Sequence, residues 1–250
     1  MKKIVAFTIA DDNNLKYAKM FENSLRKFHS KEELPFDIIG SDRIKATNDP
    51  AFFYRATPMI AKDLIKEYET VIKFDCDQVV CGDISNIWKG DFDVAAPNNS
   101  NPREMKKLVV GVLDIHPLAY LNCGLVVMKS ERFVNHWWGL CNSYHFENYQ
   151  YREQDLMNIM MAYGDYKVGL LDAGKEWFGL ISKGYWPLCE LKGEDIVLPK
   201  NKEWPTNEDR ILKIIHWAGG NDPNKMKFRL HFKPKVVKRL EWLVSEKKEI

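Results

Sequence analysis

Short apolar runs alternate along this chain with segments whose apolar residues recur every third or fourth position, the two periods that separate strand from helix. Ile4–Ile9 reads as a first strand. Leu15, Ala18, Phe21, Leu25 and Phe28 then mark one face of a helix. "FDIIG" (36–40) reads as a second strand. Thr57 followed by Pro58 has the form of an N-cap and first helical position, opening a helix that runs to Tyr68. The run 70–75, "DVAAP" (93–97) and "LNCGLVVM" (121–128) have strand character. Phe133, Trp137, Leu140, Cys141 and Tyr144 form a helical stripe over about 131–145, read as core. A short helix near 153–163, a strand ending in "IIHWAGG" (214–220) and a helix from Pro234 complete the pattern. Residues 98–118 keep neither period and are expected to form a long loop with a functional role. Strands alternating with helices predict an α/β fold with a mixed, mostly parallel central sheet.

Composition narrows the function classes. The 250 residues carry 37 Lys+Arg against 35 Asp+Glu, a net charge of +2, so no global basic field points to a nucleic-acid partner. The apolar run in "MKKIVAFTIADDNN" is short and lacks a small-residue cleavage pattern, which favours a strand over a signal peptide. No apolar stretch is long enough to span a bilayer. Cys76, Cys81, Cys123, Cys141 and Cys189 are odd in number and form no CxxC pair, so reduced thiols and a cytoplasmic location are expected.

The chemistry concentrates in "VIKFDCDQVVCGDISNIW" (71–88). Strand alternation places Asp75 and Asp77 on one face at the carboxyl end of a buried strand. In open α/β sheets ligands gather at that end. Two carboxylates so close repel, and both stay ionised only where water or a cation neutralises them. Hard oxygen ligands suit Mn²⁺ or Mg²⁺, and such an ion can clamp a diphosphate. The plainer reading is a solvated strand end. "DCDQV" also fits the D-x-D-x-[TV] signature of haloacid-dehalogenase-like phosphatases, with Asp75 as nucleophile and Asp77 as general acid. That family places the motif on the first strand with a glycine turn directly after it, whereas here a good strand and helix precede it.

Five short motifs occur in order: "ADDNN" (10–14), "FYRATP" (53–58), "YLNCGLVVMKSERF" (120–133), "REQDLMN" (152–158) and "IIHWAGGNDPNK" (214–225). With the D-x-D they resemble glycosyltransferase family 8, the group of glycogenin and the lipopolysaccharide galactosyltransferases. The resemblance spans about residues 4–225 and implies a single GT-A domain, the Rossmann-like fold of nucleotide-diphospho-sugar transferases. It further implies transfer of a hexose from a UDP-sugar with retention, to a glycan, lipid-linked or protein acceptor. Residue by residue, it implies that Asp11 and Asn13 hold the base and ribose, and that Arg55, Asn122 and Gly219 meet the donor. Asp75, Asp77 and His216 are implied as ligands of Mn²⁺ or Mg²⁺, with Asp75 also touching ribose or sugar. Glu153, Gln154 and Asp155 stand where the family has Asp-Gln-Asp, with Gln154 under the anomeric carbon, and Lys225 meets the departing diphosphate, with Lys227 as a rival. Asn14 occupies the position of an aromatic that covers the base, so Tyr17 or Phe7 would have to supply a ring. The structural alternative at "ADDNN" is that Asp11 or Asp12 caps the helix from Leu15.

The organisation expected from this is a transferase domain over 1–225, with 1–97 as the nucleotide part and 98–225 as the acceptor and catalytic part. Residues 98–118 would act as an acceptor-side lid. A basic helical extension, 226–250, follows; "VVKRLEWLV" is amphipathic and would either pack on the domain or touch an anionic membrane. A degenerate transferase that binds a nucleotide sugar without turnover is the second functional reading.

Overall fold

Among the described residues, backbone pairing turns these runs into one large sheet and two small ones. The structure, a computed structural model, describes residues 2–44, 52–98, 119–143, 148–149, 151–171, 176–177, 183–200, 208–217 and 226–246. In chain order, β1 (Lys2–Ile9), α1 (Leu15–Leu25), β2 (Phe36–Ile39), α2 (Ser41–Ile44), α3 (Phe52–Leu64) and β3 (Tyr68–Phe74) form the first half. Next come β4 (Gln78–Val80), β5 (Val94–Ala96), β6 (Leu125–Met128), α4 (Glu131–Cys141), α5 (Arg152–Tyr163) and β7 (Val168–Leu170). The remainder is β8 (Glu176–Trp177), β9 (Glu190–Lys192), β10 (Asp195–Leu198), β11 (Arg210–Leu212), β12 (Ile214–His216) and α6 (Pro234–Val244).

The main sheet has the order β2-β1-β3-β6-β5-β7. β2 and β3 run parallel to β1 and β7 runs parallel to β5, while β6 is antiparallel to both its neighbours. The fold is therefore the expected α/β type with a mixed sheet, and the sheet takes strands from both sides of residue 97. Each face is covered, which is why the strands read as continuous apolar runs. Phe7, Val71 and Val126 join Phe133, Val134 and Trp137 of α4 in one cluster. Their sequence neighbours Ala6, Ile72 and Val127 join Phe21 and Leu25 of α1 on the opposite face. Position 73 thus points to the α4 side, with Val71.

Several expectations change. α3 begins by Phe52 and carries Pro58 inside it, so Thr57 is not its cap. A mid-helix proline costs about 3 kcal/mol through its missing N–H and its ring clash; burial of Ala56 and Ala61 in the core on either side recovers part of it. The N-cap position of α1 is Asn14, which makes no side-chain cap of its own; Asp11 Oδ1 instead accepts the Asn14 amide just before the helix. Strand pairing around 121–128 is continuous only from Leu125; Leu121 makes an isolated bridge to Asn98. The second sheet, β8-β11-β10-β9, was not expected at all. α6 buries Val236, Val237, Leu240 and Leu243 and packs on α1, β4 and β9. Its Trp242 lies between Lys27 and Arg239. Most of the 98–118 stretch and Tyr144 lie outside the described residues.

Candidate active site

The two aspartates do not share a strand. β3 ends at Phe74, held there by the Thr8 hydroxyl, which donates to the Phe74 carbonyl at 2.8 Å. The chain then turns through Asp75, Cys76 and Asp77 before β4 begins. β4 leaves the main sheet to pair antiparallel with β12, in the register His216 opposite Gln78 and Ile215 opposite Val79. The Trp217 amide closes this ladder by donating to the Asp77 carbonyl at 3.0 Å. So the D-x-D turn and a histidine near the far end of the chain meet because an apolar "QVV" needs a partner strand and "IIH" supplies it.

His216 Nε2 lies 3.2 Å from Asp75 Oδ2 and 3.2 Å from Asp77 Oδ1. The imidazole is 3% exposed, and Nε2 makes no aligned hydrogen bond to either oxygen. A buried nitrogen flanked by carboxylates but poorly aligned to both is costly unless a proton or a cation sits among them. Two carboxylate oxygens and an imidazole nitrogen, all within 4.8 Å of one another, form a donor set that fits a divalent cation such as Mn²⁺ or Mg²⁺. Burial alone would pull the His216 pKa down, but Asp77 and Asp75 outweigh it and push it up to about 9. Asp75, the most exposed of the three, is opposed by burial but held well below the usual carboxylate range by Lys73 and His216.

Lys73 was missed as a site residue. Its side chain is buried, forms an ion pair with Asp75 Oδ1 and donates to the Cys123 carbonyl at 2.9 Å. The signal was present in "VIKFDCD": a lysine inside an apolar run, two positions before Asp75 and therefore on the same side. Gly124 was also missed. Its carbonyl accepts from the Asp75 amide at 2.7 Å and from Gln78 Nε2 at 2.8 Å. A Cβ there would stand 2.3 Å from His216 Cε1, 2.7 Å from Asn122 Oδ1 and 2.9 Å from Asp75 Oδ2, so only glycine lets this segment approach the cluster.

The 120–124 segment is fixed by α5. Asn122 accepts the Gly124 amide at 2.7 Å through Oδ1, and its own amide donates to the Pro97 carbonyl at 2.8 Å. Gln154 is occupied at both ends: Oε1 accepts the Cys123 amide at 3.0 Å and Nε2 donates to the Tyr120 hydroxyl at 3.1 Å. Asp155 accepts the Tyr120 hydroxyl at 2.6 Å and the Tyr151 amide at 2.8 Å. Asn158 accepts the Leu121 amide at 2.6 Å and donates to its carbonyl at 2.8 Å. Glu153, by contrast, has a buried Oε2 without a partner, and burial pushes its carboxyl up to about 8 against the pull of Lys73. The helix start is tight: Arg152 has φ 48°, the left-handed region.

Asp11 is half-buried and accepts both the Asn14 amide at 2.8 Å and Asn14 Nδ2 at 2.7 Å on one oxygen. Asn13 is exposed. Phe7 is wholly buried in the sheet core and cannot cover a base, whereas Tyr17 is half-buried on α1. Arg55 is half-buried on α3, near Cys141 of α4. Gly219 and Lys225 lie outside the described residues, and Lys227 is exposed. The structure thus gathers Asp75, Asp77, His216 and the 122–124 segment, with Lys73 buried behind Asp75.

No family model and no curated protein sequence matches the chain. Solved structures do match in fold. The galactosyltransferase LgtC, in complex with donor and acceptor sugar analogs, superposes with a TM-score of 0.60 at 15% identity, over 96% of this chain and 95% of that one. A glycosyltransferase involved in glycosylation of the major capsid of PBCV-1 gives 0.54 at 12% identity, over 96% and 98%. The apo-form glycosyltransferase GlyE of Streptococcus pneumoniae TIGR4 gives 0.53 at 12%, over 98% and 60%. The chain has the GT-A glycosyltransferase fold.

Proposed function

We propose that the protein is a metal-dependent glycosyltransferase of family 8 type, moving a hexose from a UDP-sugar to a glycan, lipid-linked or protein acceptor with retention. The observation that carries this reading is the Asp75, Asp77 and His216 donor set at the carboxyl end of β3, within a GT-A fold. LgtC was solved with donor and acceptor sugar analogs, and its likeness supports a sugar donor and acceptor for this chain as well. Asp75, Asp77 and His216 would hold Mn²⁺ or Mg²⁺, which as a Lewis acid would offset the charge that builds on the departing diphosphate.

The protein's own groups do the rest. Asp11, Asn13 and Tyr17 face the nucleoside end, and Arg55 and Asn122 bind the donor. Gly219 and Lys225 meet the diphosphate. Glu153 stands at the start of α5 beside Gln154, where a sugar hydroxyl would give its unpartnered Oε2 a donor. Gln154 and Asp155 act chiefly by fixing 120–124, since their polar atoms are already used there. The acceptor hydroxyl attacks the face that the diphosphate leaves, and its proton goes to the leaving phosphate. Five free, buried cysteines favour a reducing, cytoplasmic setting. Among the described residues no helix is long and apolar enough to cross a membrane. The exposed lysines of α6 would allow contact with an anionic surface.

A panel of nucleotide sugars, each with Mn²⁺ or EDTA, tests the reading by release of free nucleoside diphosphate. Mn²⁺-dependent release from one UDP-sugar, abolished in Asp77→Ala with its circular dichroism unchanged, is expected. Binding without release under every condition would instead support the non-catalytic reading. Release of inorganic phosphate from phosphomonoesters would support the phosphatase reading.

A further inference from the structure

The metal-and-nucleotide reading leaves one charge unexplained. Lys73 is 5% exposed on the central strand of the main sheet, where an apolar residue would be the ordinary choice. Its backbone is fixed on both sides, opposite Phe7 of β1 and Val126 of β6. Its ammonium is anchored by the Cys123 carbonyl at 2.9 Å and paired with Asp75 Oδ1. Asp75 is therefore divided: Oδ1 faces Lys73, while Oδ2 faces His216 and belongs to the donor set.

We propose that Lys73 is a resident cation that sets the charge of the site, weakening its grip on a divalent ion and strengthening its grip on the diphosphate. The inference rests on the transferase reading and concerns positioning and charge, not contact with the reacting atoms. With Asp75 half-neutralised, the set offers a cation little more than one full negative charge and one imidazole. Like charges across a shared carboxylate repel, strongly so in a desolvated site. A diphosphate gains from the same ammonium what the metal ion loses. The ion is then held well only together with a diphosphate, so the site does not fill with bare metal.

The test uses purified full-length wild type, Lys73→Gln, Lys73→Met and Lys73→Arg. Mn²⁺ binding without nucleotide is measured by electron paramagnetic resonance, and UDP binding in EDTA by calorimetry. Lys73→Gln keeps donors for the Cys123 carbonyl and for Asp75 but removes the charge. It is expected to bind Mn²⁺ at least ~10-fold more tightly and UDP more weakly, with Lys73→Met moving the same way and Lys73→Arg close to wild type. These opposite signs are what a structural role would not produce. Weakening of both ligands, no change in either, or failure of Lys73→Gln to fold would overturn the inference. Wild type that binds neither Mn²⁺ nor UDP, alone or together, would instead undercut the transferase reading itself.

Discussion

Gly124→Ala is the sharpest structural perturbation available, because it adds one methyl group and no polar atom. The new Cβ would lie 2.3 Å from His216 Cε1. Carbon atoms in contact rest at about 3.5–4.0 Å, so one partner must retreat by more than ~1 Å. The imidazole has little freedom, since β12 is locked to β4 in the register His216 opposite Gln78. On the other side Asp75 and Gln78 both hydrogen-bond the Gly124 carbonyl, so the glycine cannot retreat without loosening them. Overpacking of this kind costs roughly 1–3 kcal/mol, a fall in Tm of ~2–12 °C for a chain of this size. Displacing a ligand by ~1 Å is expected to weaken Mn²⁺ binding in the presence of UDP at least ~10-fold and to lower turnover by ~100-fold. Calorimetric unfolding and Mn²⁺ titration read both effects. Gly139→Ala is the control: it lies within α4, a Cβ there meets nothing within 4 Å, and it should stabilise by about 0.5–1 kcal/mol. A Gly124→Ala protein with wild-type Tm and Mn²⁺ affinity would refute the packing argument.

Two further outcomes follow from buried polar groups. His216 has a pKa raised to about 9 from an ordinary 6.5, so its contribution to stability is complete below pH 6.5 and is lost as pH rises through 9. In EDTA the unfolding free energy from urea titration should fall between pH 6 and 9.5, by up to ~3 kcal/mol from this group. Glu153, raised to about 8, moves stability the same way over that range, so the His216 share is the part that disappears in His216→Asn. An equal fall in wild type and His216→Asn would contradict the ion pairing with Asp75 and Asp77. Tyr120→Phe removes the donor to Asp155 and the acceptor for Gln154, leaving two buried groups short of a partner. A loss of ~1–3 kcal/mol in urea is expected, and a loss below ~0.5 kcal/mol would show that the ladder between α5 and 120–124 carries little.

Much of the site was legible because its chemistry is written in short, ordered motifs. The grouping of Asp75, Asp77 and His216 was expected from the family resemblance alone; the β4–β12 pairing that brings them together was not foreseen. What was not legible depended on tertiary context. Thr57-Pro58 carries a helix-start signal, yet α3 runs through it from Phe52, with Ala56 buried in the core just before it. The strands of the second sheet are two to four residues each, too short for a periodic signal. Gln154 looked like a group aimed at substrate, but a buried amide takes the nearest partners, here the Cys123 amide and the Tyr120 hydroxyl. Lys73 was passed over, because its role as the counter-charge of Asp75 shows only once the two side chains are seen together.

The central claim is that Asp75, Asp77 and His216 together hold a cation. Crystals grown with UDP and Mn²⁺ and measured at the manganese absorption edge address it directly. The expected result is one anomalous peak bonded to an oxygen of each aspartate and to His216 Nε2. A peak at any other site, or none beside ordered UDP, would contradict it.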